Sequence, residues 1–146
     1  MSTYFDTGVL LKSYVTEKNS ADADALILQA GQPVPFTHFH EIEMRTALRL
    51  KRGRGEIGEA ELTGALRNLQ ADVDAGRLAK ADYDLPDVFR KAEELSSKYA
   101  ASTLARSLDI LHVAAAVVIE AKTFVTFDAR QAALAAKAGL NVKTRV

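Results

Sequence analysis

Four acidic residues stand where strands end or helices begin: Asp6, Glu43, Asp109 and Asp128. Asp6 closes the β-prone run 2–5, and Asp128 directly follows the run 123–127. Glu43 lies a turn or two into a helical pattern after a second β-prone run, and Asp109 opens an apolar stretch. In open α/β sheets, ligands sit beyond the carboxyl ends of the strands. A parallel sheet would bring Asp6 and Asp128 to one edge, where Glu43 and Asp109 can converge. Four carboxylates around one cavity raise one another's pKa unless a cation compensates. An all-oxygen donor set favours Mg²⁺ or Mn²⁺ over zinc, and the chain has no cysteine to offer a thiolate. Asp109 is the sharpest of the four, because a carboxylate at the mouth of a buried helix is costly without a partner.

Each acid also has a plainer reading. Asp6 and Asp128 would serve as N-caps, Asp109 as a first-turn acid complementing a helix dipole, and Glu43 as a solvated surface residue. The joint placement along one edge favours the metal reading. The basic cluster Arg45, Arg49, Lys51, Arg52 and Arg54 follows Glu43 on the same helix and its exit. Alone it reads as a solvated helix end. Beside a carboxylate metal site it suits a phosphodiester, which needs cations for its backbone and metal for the scissile phosphate. His38, His40 and His112 lack metal-ligand spacing, and His112 reads as a hydrogen-bonded core residue. GxxxxGK[ST] and GxSxG are both missing, so P-loop and serine-hydrolase readings have no support.

The elements that must position these residues alternate. Strands are expected over 2–5, 32–36, 78–83, 123–127 and 140–142. Helices are expected over 8–15, from Ser20 as N-cap to near Gly31, from Thr37 to Gly53, over 57–73, 85–99, 108–121 and 129–138. The stretch 108–121 is apolar nearly all round and must lie inside the protein. The pattern predicts an α/β fold with a central, mostly parallel sheet of four to five short strands. No linker or repeat divides residues 1–146, so one domain is expected.

Composition agrees. Apolar residues make up 48% of the 146, enough for one core, and 19 basic residues balance 19 acidic ones. The zero net charge argues against a polybasic membrane adaptor or an acidic disordered tail. The lack of cysteine excludes disulfides, thiolate zinc sites, iron–sulfur clusters and a cysteine nucleophile. No signal peptide is visible, and the most apolar window is shorter than the roughly 20 residues a spanning helix needs. A soluble cytoplasmic protein is expected.

The segments YFDTGVLLKSY, HEIEMRTALRL, SLDILHVAAAV and TFVTFDARQAALAAKAGL resemble, in order and spacing, the acidic motifs of PIN-domain proteins. The resemblance is closest to the VapC-type ribonuclease toxins of bacterial toxin–antitoxin pairs. It implies a three-layer α/β/α PIN-like fold and an Mg²⁺- or Mn²⁺-dependent endoribonuclease. Asp6, Glu43 and Asp109 would hold the principal ion, and Asp128 would complete the shell or help hold a second ion when substrate arrives. Glu41 ranks second to Glu43. Arg45, Arg49 and Arg52 would contact the RNA backbone. Gly8 stands where the family commonly carries a hydroxyl residue, leaving Thr7 and Thr126 as hydroxyl contributors. The resemblance further implies an RNA substrate, a cognate antitoxin and a homodimer. Two alternatives compete: a receiver-like Mg²⁺-binding module, and a PIN-like domain that binds RNA or protein without cleaving. The receiver-like reading lacks both a second acid beside Asp6 and a lysine ending the late strand.

Overall fold

The computed structural model describes residues 2–144. Its elements run β1 (Thr3–Phe5), α1 (Thr7–Leu11), α2 (Ser20–Ala30), β2 (Val34–Phe36), α3 (His38–Gly53) and α4 (Glu59–Asp74). They continue with β3 (Leu78–Lys80), α5 (Leu85–Thr103), α6 (Ser107–Val118), β4 (Thr123–Val125), α7 (Ala129–Lys137) and β5 (Asn141–Lys143). Every strand pairing is parallel, in the orders β1-β4-β5 and β2-β3. Since β2 lies against β1, the two ladders form one central layer.

Side chains alternate between the faces of a strand. Tyr4 and Phe124 stack with ring centroids 5.4 Å apart and enter a core with Val88 and Leu95 of α5, Ile110 and Val113 of α6, and Leu134 of α7. Their neighbours Phe5 and Val125 enter a second core with Val9 and Leu10 of α1, Leu26 of α2, Met44 of α3 and Leu69 of α4. Helices therefore cover both faces, as a parallel sheet demands. The buried positions of α6 include Ile110, His112 and the run from Val113 to Ala116, which accounts for its all-round apolar sequence.

Several boundaries differ from expectation for local reasons. Helix α1 stops at Leu11, where Lys12, Ser13 and Tyr14 donate to carbonyls three residues back, a tightened turn in place of α-helix. Helix α5 runs through Ser102 and Thr103, whose hydroxyls bond back to Tyr99 O, and stops at Leu104 in a left-handed conformation with φ 61°. The N-cap of α2 is Asn19, and Ser20 Oγ instead accepts from Glu17 N–H at 2.9 Å. On α3 the buried stripe is His40, Met44 and Leu48, spaced by four, which leaves Ile42 and Leu50 exposed.

Two devices set the site's position. Parallel pairing of Phe5 with Val125 brings Asp6 beside Thr126, and Asp6 N–H donates to Val125 O at 2.9 Å. At the start of α3, Thr37 and His40 cap reciprocally, with Thr37 N–H donating to His40 Nδ1 at 3.0 Å. An accepting Nδ1 places the proton on Nε2, which donates to Phe5 O at 2.7 Å. Burial, then the nearby His112, hold the His40 pKa well below its usual value, so the ring is neutral at neutral pH. His40 thus ties the end of β1 to the helix that carries Glu43 less than one turn later.

Candidate metal centre

Asp6 occupies the N-cap position of α1, yet its side chain makes no cap hydrogen bond. The carboxylate turns toward β4 instead. Thr126 Oγ1 donates to Asp6 Oδ2 at 3.3 Å, and Asp128 N–H donates to Thr126 Oγ1 at 3.0 Å. Gln131 is fully buried; with its amide nitrogen facing Asp6, it donates to both carboxylate oxygens at 3.2 Å and to Thr126 Oγ1 at 2.8 Å. Thr126 then accepts twice and donates once, the full capacity of a hydroxyl, which settles the amide's orientation. Burial pushes the Asp6 carboxyl from 3.8 up to about 6; His112 opposes this, the charges on Glu43 and Asp109 add to it, and Gln131 opposes it.

Glu43 is treated differently. His112 Nε2 lies 2.8 Å from Glu43 Oε1 and 3.1 Å from Thr7 Oγ1, while Tyr4 OH lies 2.7 Å from His112 Nδ1. Burial works against the Glu43 charge, but hydrogen bonds from His112 and Thr7 and the charge of His112 together hold it below the usual carboxylate range. Asp6, Glu43 and His112 offer ligand atoms that all lie within 4.8 Å of one another. One carboxylate is kept charged and the other is deprived of solvent beside it. A divalent cation would reconcile the two, with hard carboxylate oxygens as its donors; the imidazole, whose Nε2 is engaged by Glu43, stands behind them.

The other two acids both perform their plainer roles. Asp109 Oδ2 accepts from Arg106 N–H at 3.2 Å at the start of α6. Asp128 Oδ1 caps α7, accepting from Arg130 and Gln131 N–H at 2.8 and 3.2 Å. Each retains its second oxygen. Burial raises the Asp109 pKa, and Asp128 and Glu43 raise it further against the Arg106 and His112 contributions; the Asp109 charge in turn acts on Asp6. Asp128 also lines, with Asp6, Gly8, Val9, Lys12 and Phe127, an open cavity of about 360 Å³. Glu41 sits on another side of α3, 3.7 Å from Arg45.

Among the basic candidates, Arg45 donates to Gln70 at 2.8 Å, and Arg52 pairs with Glu59 at 3.1 Å. Arg49 is exposed and, among the described residues, forms no ion pair. Two contributors were not evident from sequence: Tyr4 and Gln131. The signal for Gln131 was a polar residue on the buried stripe of α7 that it shares with Leu134 and Ala135.

A cation at this centre must displace the proton from Asp6. Its affinity should therefore be constant well above pH 6 and fall as the pH drops through about 6, by roughly tenfold per pH unit for one proton. Calorimetric Mn²⁺ titrations between about pH 5 and 7.5 check this; an affinity flat across that window would place the ion elsewhere.

Neither a protein-family model nor a curated protein sequence matches the chain. Among solved structures, the chain is similar to the crystal structure of FitAcB from Neisseria gonorrhoeae. The TM-score is 0.67 at 18% sequence identity, covering 96% of this chain and 95% of that one. The two share a fold over nearly their whole lengths. Among the described residues, no helix is long and apolar enough to cross a membrane.

Proposed function

We propose that the chain is a metal-dependent endoribonuclease of the PIN type, acting as the toxin of a toxin–antitoxin pair with Mg²⁺ or Mn²⁺ as its ion. The observation that carries this reading is the approach of Asp6 and Glu43 at the carboxyl edge of a parallel sheet, with ligand atoms inside 4.8 Å. Asp6 and Glu43 hold the ion. Asp109 and Asp128 complete its surroundings through the oxygens their caps leave over. Thr126 and Gln131 fix the Asp6 carboxylate, and Thr7 and His112 fix Glu43. Bound there, a divalent cation supplies an activated water and charge stabilisation for in-line displacement at a phosphodiester.

The four motif segments support the choice of RNA and of an antitoxin partner, and the FitAcB likeness supports the fold on which they are placed. Ile42 and Leu50 of α3 and Leu85 and Phe89 of α5 are exposed apolar residues, the surface chemistry that a second copy or an antitoxin would cover.

Purified protein should cut single-stranded RNA in Mg²⁺ or Mn²⁺ and stop on addition of EDTA. RNA binding without cleavage in either ion would establish the non-cleaving alternative. A smaller effect is expected from the α3 cations. Arg49→Ala combined with Arg52→Ala should weaken RNA binding several-fold and flatten its dependence on salt by roughly 0.7 per lost phosphate contact. Binding unchanged at every salt concentration would remove these arginines from the interface and leave the metal centre standing.

A further inference from the structure

The open cavity beside the metal centre is more than a gap between acids. Its lining combines three chemistries: the carboxylates of Asp6 and Asp128, the apolar Val9 and Phe127, and the ammonium of Lys12. Gly8 adds no side chain to this lining, and a Cβ there would come within 3.2 Å of Asp6 Oδ2. The Lys12 ammonium is held from behind. Glu17 receives Lys12 Nζ at 2.9 Å and Lys51 Nζ at 2.7 Å. Two cations on one carboxylate leave a net positive charge around Glu17. Two hydrogens of the Lys12 ammonium lie beyond the one its Glu17 contact uses. Phe127 is half-buried, anchored against the second core and fixed between Thr126 and the capping residue Asp128.

A negative group held by Lys12, an apolar ring against Phe127 and a second anion reaching the acids through a cation together describe one nucleotide. We infer that this cavity is the subsite for the nucleotide next to the scissile phosphodiester of single-stranded RNA, with its flanking phosphate on Lys12 and its base stacked on Phe127. Stacking requires an unpaired base, so the subsite selects single-stranded over duplex RNA. Lys12, not the arginines of α3, is then the backbone contact nearest the chemistry. The inference rests on the ribonuclease reading above.

Steady-state cleavage of a short oligoribonucleotide by the full chain in Mn²⁺ tests it. Lys12→Met and Phe127→Leu should each raise KM by about tenfold, leave kcat within about threefold, and leave calorimetric Mn²⁺ affinity unchanged. Lys12→Arg and Phe127→Tyr, which keep the charge and the ring, should return KM to within a few-fold of wild type. Wild-type KM in Lys12→Met and Phe127→Leu, with cleavage intact, overturns the subsite and spares the metal centre. Conservative variants as impaired as the disruptive ones, or Mn²⁺ affinity lost alongside KM, overturn it too by showing a structural role. A wild-type protein with no Mn²⁺-dependent cleavage overturns both readings.

Discussion

Asp6→Asn should raise the melting temperature of the metal-free protein at pH 7.5 while abolishing the stabilisation that Mn²⁺ confers. Burial has moved the Asp6 carboxyl from 3.8 to about 6. A raised folded-state pKa means that the protonated acid contributes stability fully present below about 3.8 and lost as the pH rises through about 6. Above that pH the carboxylate is charged, poorly solvated and close to a second carboxylate. The shift corresponds to at most about 3 kcal/mol at roughly 1.4 kcal/mol per pKa unit. Asparagine is isosteric and neutral: its amide oxygen still accepts from Thr126 and Gln131, and only the Gln131 contact to the second oxygen is given up. Discounting for the partial exposure of Asp6, a gain of roughly 1–2 kcal/mol, or about 2–8 °C, is expected. With Mn²⁺ the order reverses, because wild type gains the binding free energy and the variant does not. Thermal melts of both proteins with and without Mn²⁺ read all four quantities. An Asp6→Asn protein that is destabilised without metal would show that Asp6 serves the fold and not an ion.

The second large effect concerns what stands behind Glu43. His112→Ala should destabilise the protein by about 3–5 kcal/mol, lowering the melting temperature by roughly 10 °C. His112 is fully buried, and its removal opens a cavity while stranding the Tyr4 hydroxyl and one Glu43 oxygen. Mn²⁺ affinity should fall by about tenfold or more, because the neighbours that orient metal ligands matter nearly as much as the ligands. Tyr4→Phe deletes only one partner of the ring and should cost about 1–2 kcal/mol. Denaturant unfolding of the two variants checks the ratio. If His112→Ala unfolds at the wild-type midpoint, the imidazole does not hold the centre together.

Much of the fold could be read from residue patterns because they are strong where the core demands it. The apolar circuit of α6, the caps at Thr37 and Asp128, and the glycines after α2, α3 and α4 all mark elements that formed nearly as expected. The failures lie where polar side chains act on the backbone. Ser102 and Thr103 suggest a break, yet their hydroxyls bond within α5 and let it continue. His40 carries no hydropathic weight, yet it belongs to the buried stripe of α3 and connects that helix to β1.

The site was legible in its acids and opaque in their surroundings. Strand ends located Asp6, but only the register of β1 with β4 shows that Thr126 stands beside it. The spacing of three between Asp109 and His112 puts both in the first half of α6. Nothing local reveals that the imidazole, and not the carboxylate, reaches Glu43. The basic cluster was legible in its residues and not in their partners. From sequence Arg45 and Arg52 read as unpaired cations, and only the fold sets Glu41 and Glu59 against them.

The central claim is that Asp6 and Glu43 jointly hold one divalent cation. Electron paramagnetic resonance of Mn²⁺ reads this directly, since the sharp signal of the free ion is lost on binding. Titrated at pH 7.5, the wild-type protein should deplete the free signal, and Asp6→Asn and Glu43→Gln should each leave it at the level of buffer alone. A wild-type protein that leaves the free-ion signal intact, or either variant depleting it as wild type does, would contradict the account.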